Sequence, residues 1–293
     1  MAVFLAGAAT TAVISAAPAG AGGGPSVQQA DQFLASQMDL YATGTTLRLV
    51  QSFSGGTLGA QGFTDSETYD DALMIDAFLA EGTSDGLTRA ELLGQALLLV
   101  QSRDRSRDGR VRAAYSPLPL TSLRRGRVLV HVRVRDRSSD VGNMAWVGMA
   151  LAHLYSATGN TAYLAGAESI ANWVVNHCYD PRGAGGFTGG YTGSNRKITW
   201  KSTEHNIDLV GLFQMLASET GNSAWSTDAA RAKGFVTAMW NPTSGSFAVG
   251  TLDDGATVNT SEQPEDVNSW SYLALRDPAF ASSLDWDVHN LSV

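Results

Sequence analysis

Thr199-Trp200-Lys201-Ser202-Thr203-Glu204-His205-Asn206-Ile207-Asp208-Leu209-Val210-Gly211-Leu212-Phe213-Gln214-Met215-Leu216 begins with polar residues that suit a helix start. It then runs into a segment that is apolar nearly all round, as a helix buried on every side must be. Met144-Ala145-Trp146-Val147-Gly148-Met149-Ala150-Leu151 reads the same way, so both are inner elements. The segments 87–101, 161–177 and 223–240 differ, setting an apolar stripe against polar positions such as Arg89, Glu91, Asp228, Arg231 and Lys233. That pattern suits an outer layer. Inner and outer helices alternate along the chain, which pairs them as hairpins.

An internal repeat supports the pairing. Thr158-Gly159-Asn160-Thr161-Ala162-Tyr163 recurs 62 positions later as Thr220-Gly221-Asn222-Ser223-Ala224-Trp225, and each copy joins a buried helix to an amphipathic one. Gly159 and Gly221 are natural left-handed helix stops, and Asn160 and Asn222 natural starts. A fainter third copy matches Asp266-Val267-Asn268-Ser269-Trp270 to the stretch from Asp140 to Trp146. We expect hairpins near 68–102, 139–178, 203–240 and 265–292, preceded by an isolated helix over roughly 27–50.

Long connections over 103–138, 179–202 and 241–264 are rich in Gly, aromatic and polar residues, the usual material of a site. The first holds 11 of the 17 arginines, with Val128, Val130, Val132 and Val134 alternating as in a short strand pair. It reads either as a solvated hairpin or as the product of a frameshift. The chain has 293 residues, 44% hydrophobic and 16% charged, enough for a sizeable core. A formal charge of -8 disfavours nucleic acid or an acidic membrane surface as partner. Cys178 is alone, so there is neither an intramolecular disulfide nor cysteine spacing for a metal. Residues 2–24 carry no charge and end near Ala17-Pro18-Ala19, which reads as a secretory signal over 1–24. One domain over 25–293 follows, with no membrane span expected after the signal is removed.

Three runs carry a resemblance to a known family: Ser138-Ser139-Asp140-Val141-Gly142-Asn143-Met144-Ala145-Trp146, Thr199 through Asp208, and Pro264-Glu265-Asp266-Val267-Asn268-Ser269-Trp270. They resemble bacterial secreted proteins of the six-hairpin glycosidase superfamily over most of 65–290. The resemblance implies an all-α fold, the (α/α)₆ toroid of helical hairpins. That fold also carries lyases, epimerases and phosphorylases. Nine expected helices against twelve in the family imply a toroid incomplete at its C-terminus.

The repeat sets acids at the start of every inner helix: Asp70 and Asp71, Asp140, Glu204, then Glu265 and Asp266. Their ends should converge at one mouth. Cleaving a glycosidic bond takes one carboxylic acid to protonate the leaving oxygen and a second carboxylate to attack or to activate water. Each acid alone is better explained by helix capping, and only the set points to a functional acid. Asp208 stands one turn beyond Glu204 in an otherwise apolar segment, so it either pairs with Lys201 or an arginine or faces a wet cavity. His205 suits a proton relay, a sugar hydroxyl or a hydrogen-bonded helix start. His153 reads as a core histidine. Trp146 and Trp270 suit core packing as well as sugar stacking, whereas Tyr191 and Trp200 sit in loops and suit binding.

We therefore expect a secreted, monomeric glycoside hydrolase-like enzyme acting on a neutral or weakly charged oligo- or polysaccharide, without metal or cofactor. Glu204, Asp208 and Asp140 are the catalytic candidates. Asp70, Asp71, Trp146, Tyr191, Trp200, Lys201, His205, Asp266 and Trp270 are the substrate-binding ones. The alternatives are a polysaccharide lyase recruiting Tyr191, Arg196, His205 and Asn206, and a non-catalytic glycan-binding or inactive fragment.

Overall fold

The computed structural model describes residues 24–291, so the signal expected over 1–24 lies, apart from Gly24, outside the described residues. The helices are α1 (Pro25–Met38), α2 (Gly56–Ala60), α3 (Thr68–Glu81), α4 (Ser84–Ser102), α5 (Val141–Thr158), α6 (Thr161–Cys178), α7 (Thr203–Thr220), α8 (Ser223–Ala238), α9 (Asp266–Leu275) and α10 (Ser282–Leu291). Four hairpins result: α3 with α4, α5 with α6, α7 with α8, and α9 with α10. The inner helices α3, α5, α7 and α9 pack in series, and each outer helix packs on its own inner partner. Within the described residues this is an arc of a helical toroid.

The turns that close the hairpins follow from the sequence. Gly82, Gly159 and Gly221 end α3, α5 and α7 in the left-handed region at φ 69°, 70° and 67°. The side chains of Asn160 and Asn222 then accept from the backbone N–H of Ala162 and Ala224 to start α6 and α8. The inner helices lie close together because small residues face their neighbours. A Cβ on Gly148 of α5 would meet Leu212 Cδ1 of α7 at 2.8 Å. Leu93, Leu97, Leu151, Leu154, Leu212 and Phe213 are fully or nearly fully buried between the layers. Truncating one such leucine to alanine costs about 2–5 kcal/mol.

The expected first helix over 27–50 is too long. α1 stops at Met38, and Gly44 takes a left-handed φ of 61°. The buried Arg48 guanidinium takes over the hydrogen bonding that helix would have supplied, donating to the carbonyls of Met38, Gly44 and Thr46. Asp39 completes the ion pair at 2.6 Å.

Short antiparallel strands wall the end at which the inner helices begin. Ser66–Glu67 pairs with Ala114–Tyr115 and that with Val134–Asp136, just before α3. Ser139–Asp140 pairs with Gly190–Tyr191, just before α5. Ser202 bridges to Gly250, just before α7. The Arg-rich segment forms the exposed hairpin Thr121–Arg124 and Arg127–Val130, which holds Val128 and Val130, while Val132 lies in no strand and Val134 begins the strand of the other sheet.

A hydrogen-bond pin repeats at the first turn of three inner helices. The Asn206 side chain accepts from Phe187 N–H at 2.9 Å, Asn268 from Phe247 N–H at 2.8 Å, and Asp71 from Val50 N–H at 2.9 Å. The preceding threonines agree, since the hydroxyls of Thr203 and Thr68 donate to the carbonyls of Ala248 and Ala113. These pins set a register that corrects the fainter repeat. Asp266 is the counterpart of Glu204, not of Asp140, and Trp270 is the counterpart of Asp208.

Candidate active site

In that register the first inward position is Tyr69 on α3, Gly142 on α5, Glu204 on α7 and Asp266 on α9. One turn further in stand Leu73, Trp146, Asp208 and Trp270. A period of four residues along parallel helices places each set on the faces that look toward a common axis. The contacts agree. The ring centroids of Tyr69 and Trp146 lie 5.5 Å apart, and those of Trp146 and Trp270 5.9 Å apart. Glu204, Asp208 and Asp266 act electrostatically on one another and on Tyr69. One mouth thus holds three carboxyls and three aromatic rings, from four helices that are far apart in sequence.

Asp208 is 4% exposed, and its carboxyl is raised well above the ordinary value by burial and then by Glu204 and Asp266. The Trp146 indole is the one group that eases its charge, yet neither Trp146 Nε1 nor Asp208 Oδ2 closes a hydrogen bond among the described residues. The salt bridge that could have explained Asp208 is absent: Lys201 is buried, and its Nζ donates to the carbonyls of Asp180 at 3.0 Å and Arg182 at 2.6 Å. Asp208 also lines a cavity of about 300 Å³ together with Trp146, Ile207, Gln214, Trp270 and Arg276. Glu204 is raised by burial and then by Asp266, and Asp266 is raised chiefly by burial, with its Oδ1 unpartnered. Capping does not account for Glu204, because Ser202 caps α7 by accepting from His205 N–H.

The neighbouring cavity, about 760 Å³, is lined by Trp200, Ser202, Glu204, His205, Asp253 and Asp254 among others. Glu204 thus lines the larger cavity, while Asp208, one turn on along α7, lines the smaller one. His205 is pushed down to about 4 by burial, so it is neutral at pH 7 and is no cationic acid. Its ring packs 5.8 Å from Trp200 and over Gly142, where a Cβ would meet His205 Cδ2 at 2.6 Å. The expected core role of His153 is not found; it is partly exposed at the surface and pairs with Asp76 at 2.8 Å.

Other candidates lie elsewhere or do other work. Asp71 is fully buried and spends its oxygens on Val50 N–H and the Ser66 hydroxyl, so it is a pin and not a substrate contact. Lys201 is likewise removed from substrate binding by the burial of its amine. Tyr191 packs edge-on to Trp173, beside His177 and near Arg110, in the outer part of the hairpin. Asn206 uses both ends of its amide on Phe187 and Ser202. Two members of the lyase set, Tyr191 and Asn206, thus have other contacts. Asp140 stands at the N-cap of α5 but makes no side-chain cap; it accepts from the Ser138 hydroxyl at 2.9 Å and is raised by burial.

One acid of this end was missed. Glu67, the residue before α3, is raised to about 7 by burial and then by neighbouring carboxylates, Asp140 and Asp70 among them. Its sequence signal was present, since Glu67 and Asp140 occupy the same position before their inner helices. Among the described residues no group of three His, Cys, Asp or Glu is set to hold a metal ion, and no helix is long and apolar enough to cross a membrane.

No family profile matches the chain, and no curated protein matches it. Solved structures do match. A D-mannose isomerase aligns at TM-score 0.57 and 15% identity, over 75% of this chain and 56% of that one. A GH8 endo-β-1,4-glucanase from an Achatina fulica gut metagenomic library aligns at 0.59 and 14%, over 85% and 74%. An inactive variant of the α-1,6-mannanase GH76A of Salegentibacter sp. HEL1_6, in complex with α-1,6-mannotriose, aligns at 0.59 and 13%, over 91% and 70%. The chain thus spans just over half the length of the isomerase. At these identities the likeness is one of architecture, and the chain has the helical-hairpin toroid fold of the six-hairpin glycosidases.

Proposed function

We propose that this protein is a glycoside hydrolase-like enzyme that cleaves glycosidic bonds at the mouth formed by α3, α5, α7 and α9. The observation that carries the reading is Asp208, a nearly buried carboxyl with no cationic partner among the described residues, electrostatically coupled to Glu204 and Asp266 and sharing a cavity wall with Trp146 and Trp270. Three carboxyls in one low-dielectric mouth cannot all ionise freely, so burial and mutual repulsion favour one of them keeping its proton. Asp208, the most buried, keeps it and serves as the general acid that protonates the leaving glycosidic oxygen. Glu204, on the wall of the larger cavity one turn before Asp208, is the ionised partner that attacks or activates water. Asp266 adds negative charge opposite the oxocarbenium-like transition state. Tyr69, Trp146 and Trp270 offer apolar faces to sugar rings, with Trp200 doing so in the larger cavity. Solved proteins of this fold include glycoside hydrolases, which agrees with the reading.

The test is digestion of a panel of soluble glycans by the full chain, followed both by reducing-end assay and by ultraviolet absorbance. New reducing ends without absorbance support hydrolysis. Unsaturated products absorbing in the ultraviolet would move the reading to a lyase, and the absence of products with every glycan would remove it.

A further inference from the structure

The Arg-rich hairpin of Thr121–Arg124 and Arg127–Val130 lines neither cavity of the mouth. Its register pairs Thr121 with Val130, Ser122 with Leu129, Leu123 with Val128 and Arg124 with Arg127. Residues directly opposite share a face, so Thr121, Leu123, Val128 and Val130 make one face and Ser122, Arg124, Arg127 and Leu129 the other. The apolar face of an antiparallel pair ordinarily packs on a core. Here Leu123 is 75% and Val128 67% exposed, and Val130 is exposed as well. The base, by contrast, is fixed. Leu120 is fully buried, its N–H donates to the Leu47 carbonyl, and His131 N–H donates to the Leu120 carbonyl, each at 2.8 Å. A rooted hairpin thus holds an uncovered apolar face in solvent.

The same hairpin is cationic. The ion pairs of this part of the chain use Arg110, Arg112 and Arg135. Arg124, Arg125, Arg127 and Arg133 are exposed and form none among the described residues, and the sequence holds no acid between Asp108 and Asp136. Arg125 and Gly126 make the turn, both left-handed at φ 50° and 75°, as the twist of a tight hairpin requires. Asn or Asp would hold that conformation at less cost, so arginine at 125 adds charge and not turn stability.

Uncovered apolar side chains and unpaired guanidiniums on one hairpin match the headgroup boundary of an anionic bilayer in charge and in polarity. Apolar groups there enter the acyl edge while guanidiniums stay at the phosphates. We propose that this hairpin is a docking tip for an anionic lipid surface, lying on the membrane and not crossing it. A soluble polyanion would neutralise the arginines and leave Leu123 and Val128 wet. A second copy of the tip would bring like charges together. The net charge of -8 belongs to the whole chain. Strands of four residues run roughly 13 Å from base to turn, beyond the Debye length of about 10 Å at about 0.1 M salt, so the acids of the body are screened from what the turn end touches. Docking of this kind is independent of the hydrolase reading.

The test is co-sedimentation of the full chain with vesicles of phosphatidylcholine alone and of phosphatidylcholine carrying about 30% phosphatidylglycerol. Partition onto the anionic vesicles is expected to exceed that onto the neutral ones by at least about tenfold, and to fall by a similar factor when salt is raised from about 0.05 M to about 0.5 M. Replacing three arginines together, Arg124→Gln, Arg125→Gln and Arg127→Gln, should lower partition by about a hundredfold. Leu123→Ser with Val128→Ser should lower it by about tenfold while keeping the preference for anionic lipid. All five side chains are exposed, so melting temperatures should match the parent. Equal binding to both kinds of vesicle, or binding to neither, would overturn the proposal. Binding that the serine pair leaves unchanged and soluble polyphosphate competes away would also overturn it, by making the partner a soluble polyanion. Self-association in sedimentation velocity that the serine pair abolishes would overturn it in favour of a second copy.

Discussion

Asp71 and Asp208 are both aspartates near the starts of inner helices, in the first turn of α3 and the second of α7, and both are withdrawn from solvent, yet they have opposite surroundings. Asp71 accepts hydrogen bonds from Val50 N–H and the Ser66 hydroxyl. Asp208 has an oxygen without a partner and two carboxyl neighbours. In the repeat register Asp71 corresponds to Asn206 and Asn268, so the pin position needs an acceptor and no charge. Asp208 corresponds to Trp146 and Trp270, so a carboxyl has replaced an aromatic ring at a position where packing alone would favour the ring. Burial alone therefore does not mark a functional acid. Burial without satisfaction, on a cavity wall, does.

The largest expected effect is on turnover. Asp208→Asn and Glu204→Gln should each lower glycan cleavage by roughly 10²–10⁴-fold, since an amide can neither donate an acidic proton nor act as a base. Asp71→Asn should leave the rate within about threefold of the parent in the same assay, because the amide can make the pin as Asn206 and Asn268 do. A comparable rate loss in Asp71→Asn would collapse the distinction between the two residues.

Stability should rank them the other way. Asp71→Ala removes the acceptor for a buried N–H and should cost about 1–3 kcal/mol in urea denaturation, whereas Asp71→Asn should cost about 1 kcal/mol or less. For Asp208 the sign depends on pH. A carboxyl whose folded pKa is raised binds its proton more tightly folded than unfolded, so stability is lost as pH rises from the unfolded value, about 4, through the raised folded value. Asp208→Asn should therefore be more stable than the parent at pH 8, and its advantage should vanish as the pH falls toward 4. An advantage that grew in acid would mean that Asp208 is paired after all.

The smallest expected effects concern positions that serve the fold without chemistry. Ser202→Ala should cost about 1 kcal/mol through the lost cap on α7. Gly142→Ala forces the His205 ring aside and should cost about 1–3 kcal/mol by thermal denaturation. It should also lower the rate through its closeness to Glu204. If instead Gly142→Ala were neutral in both respects, the packing of His205 over α5 would be wrong.

Much of this was legible in the sequence because hairpin turns are local. Gly159-Asn160 and Gly221-Asn222 carry their own stop and start signals, and the apolar character of α5 and α7 is continuous. The segment 39–50 misled because its structure depends on one distant-reaching side chain, Arg48, which no periodicity reveals. The same applies to the site. Acids at helix starts were visible, but separating Asp71 from Asp208 required knowing that Val50 N–H and Ser66 come to one and not to the other. Glu67 stands before its helix as Asp140 does, and what sets it apart, a pKa raised to about 7 by burial and then by Asp136 and Asp70, arises across the strand layer and not within its own segment. Lys201 looked like a natural partner for Asp208 in sequence, seven residues away, yet its amine follows the 179–202 loop outward to Asp180 and Arg182.

The most direct test of the account is the titration of the Asp208 carboxyl itself, followed by its ¹³C shift and assigned by its disappearance in Asp208→Asn. The account predicts that this carboxyl titrates well above the usual aspartate range, and that its midpoint moves toward ordinary values when Glu204→Gln and Asp266→Asn remove the neighbouring charges. A midpoint near about 4, the usual aspartate value, and unmoved by those substitutions would contradict it.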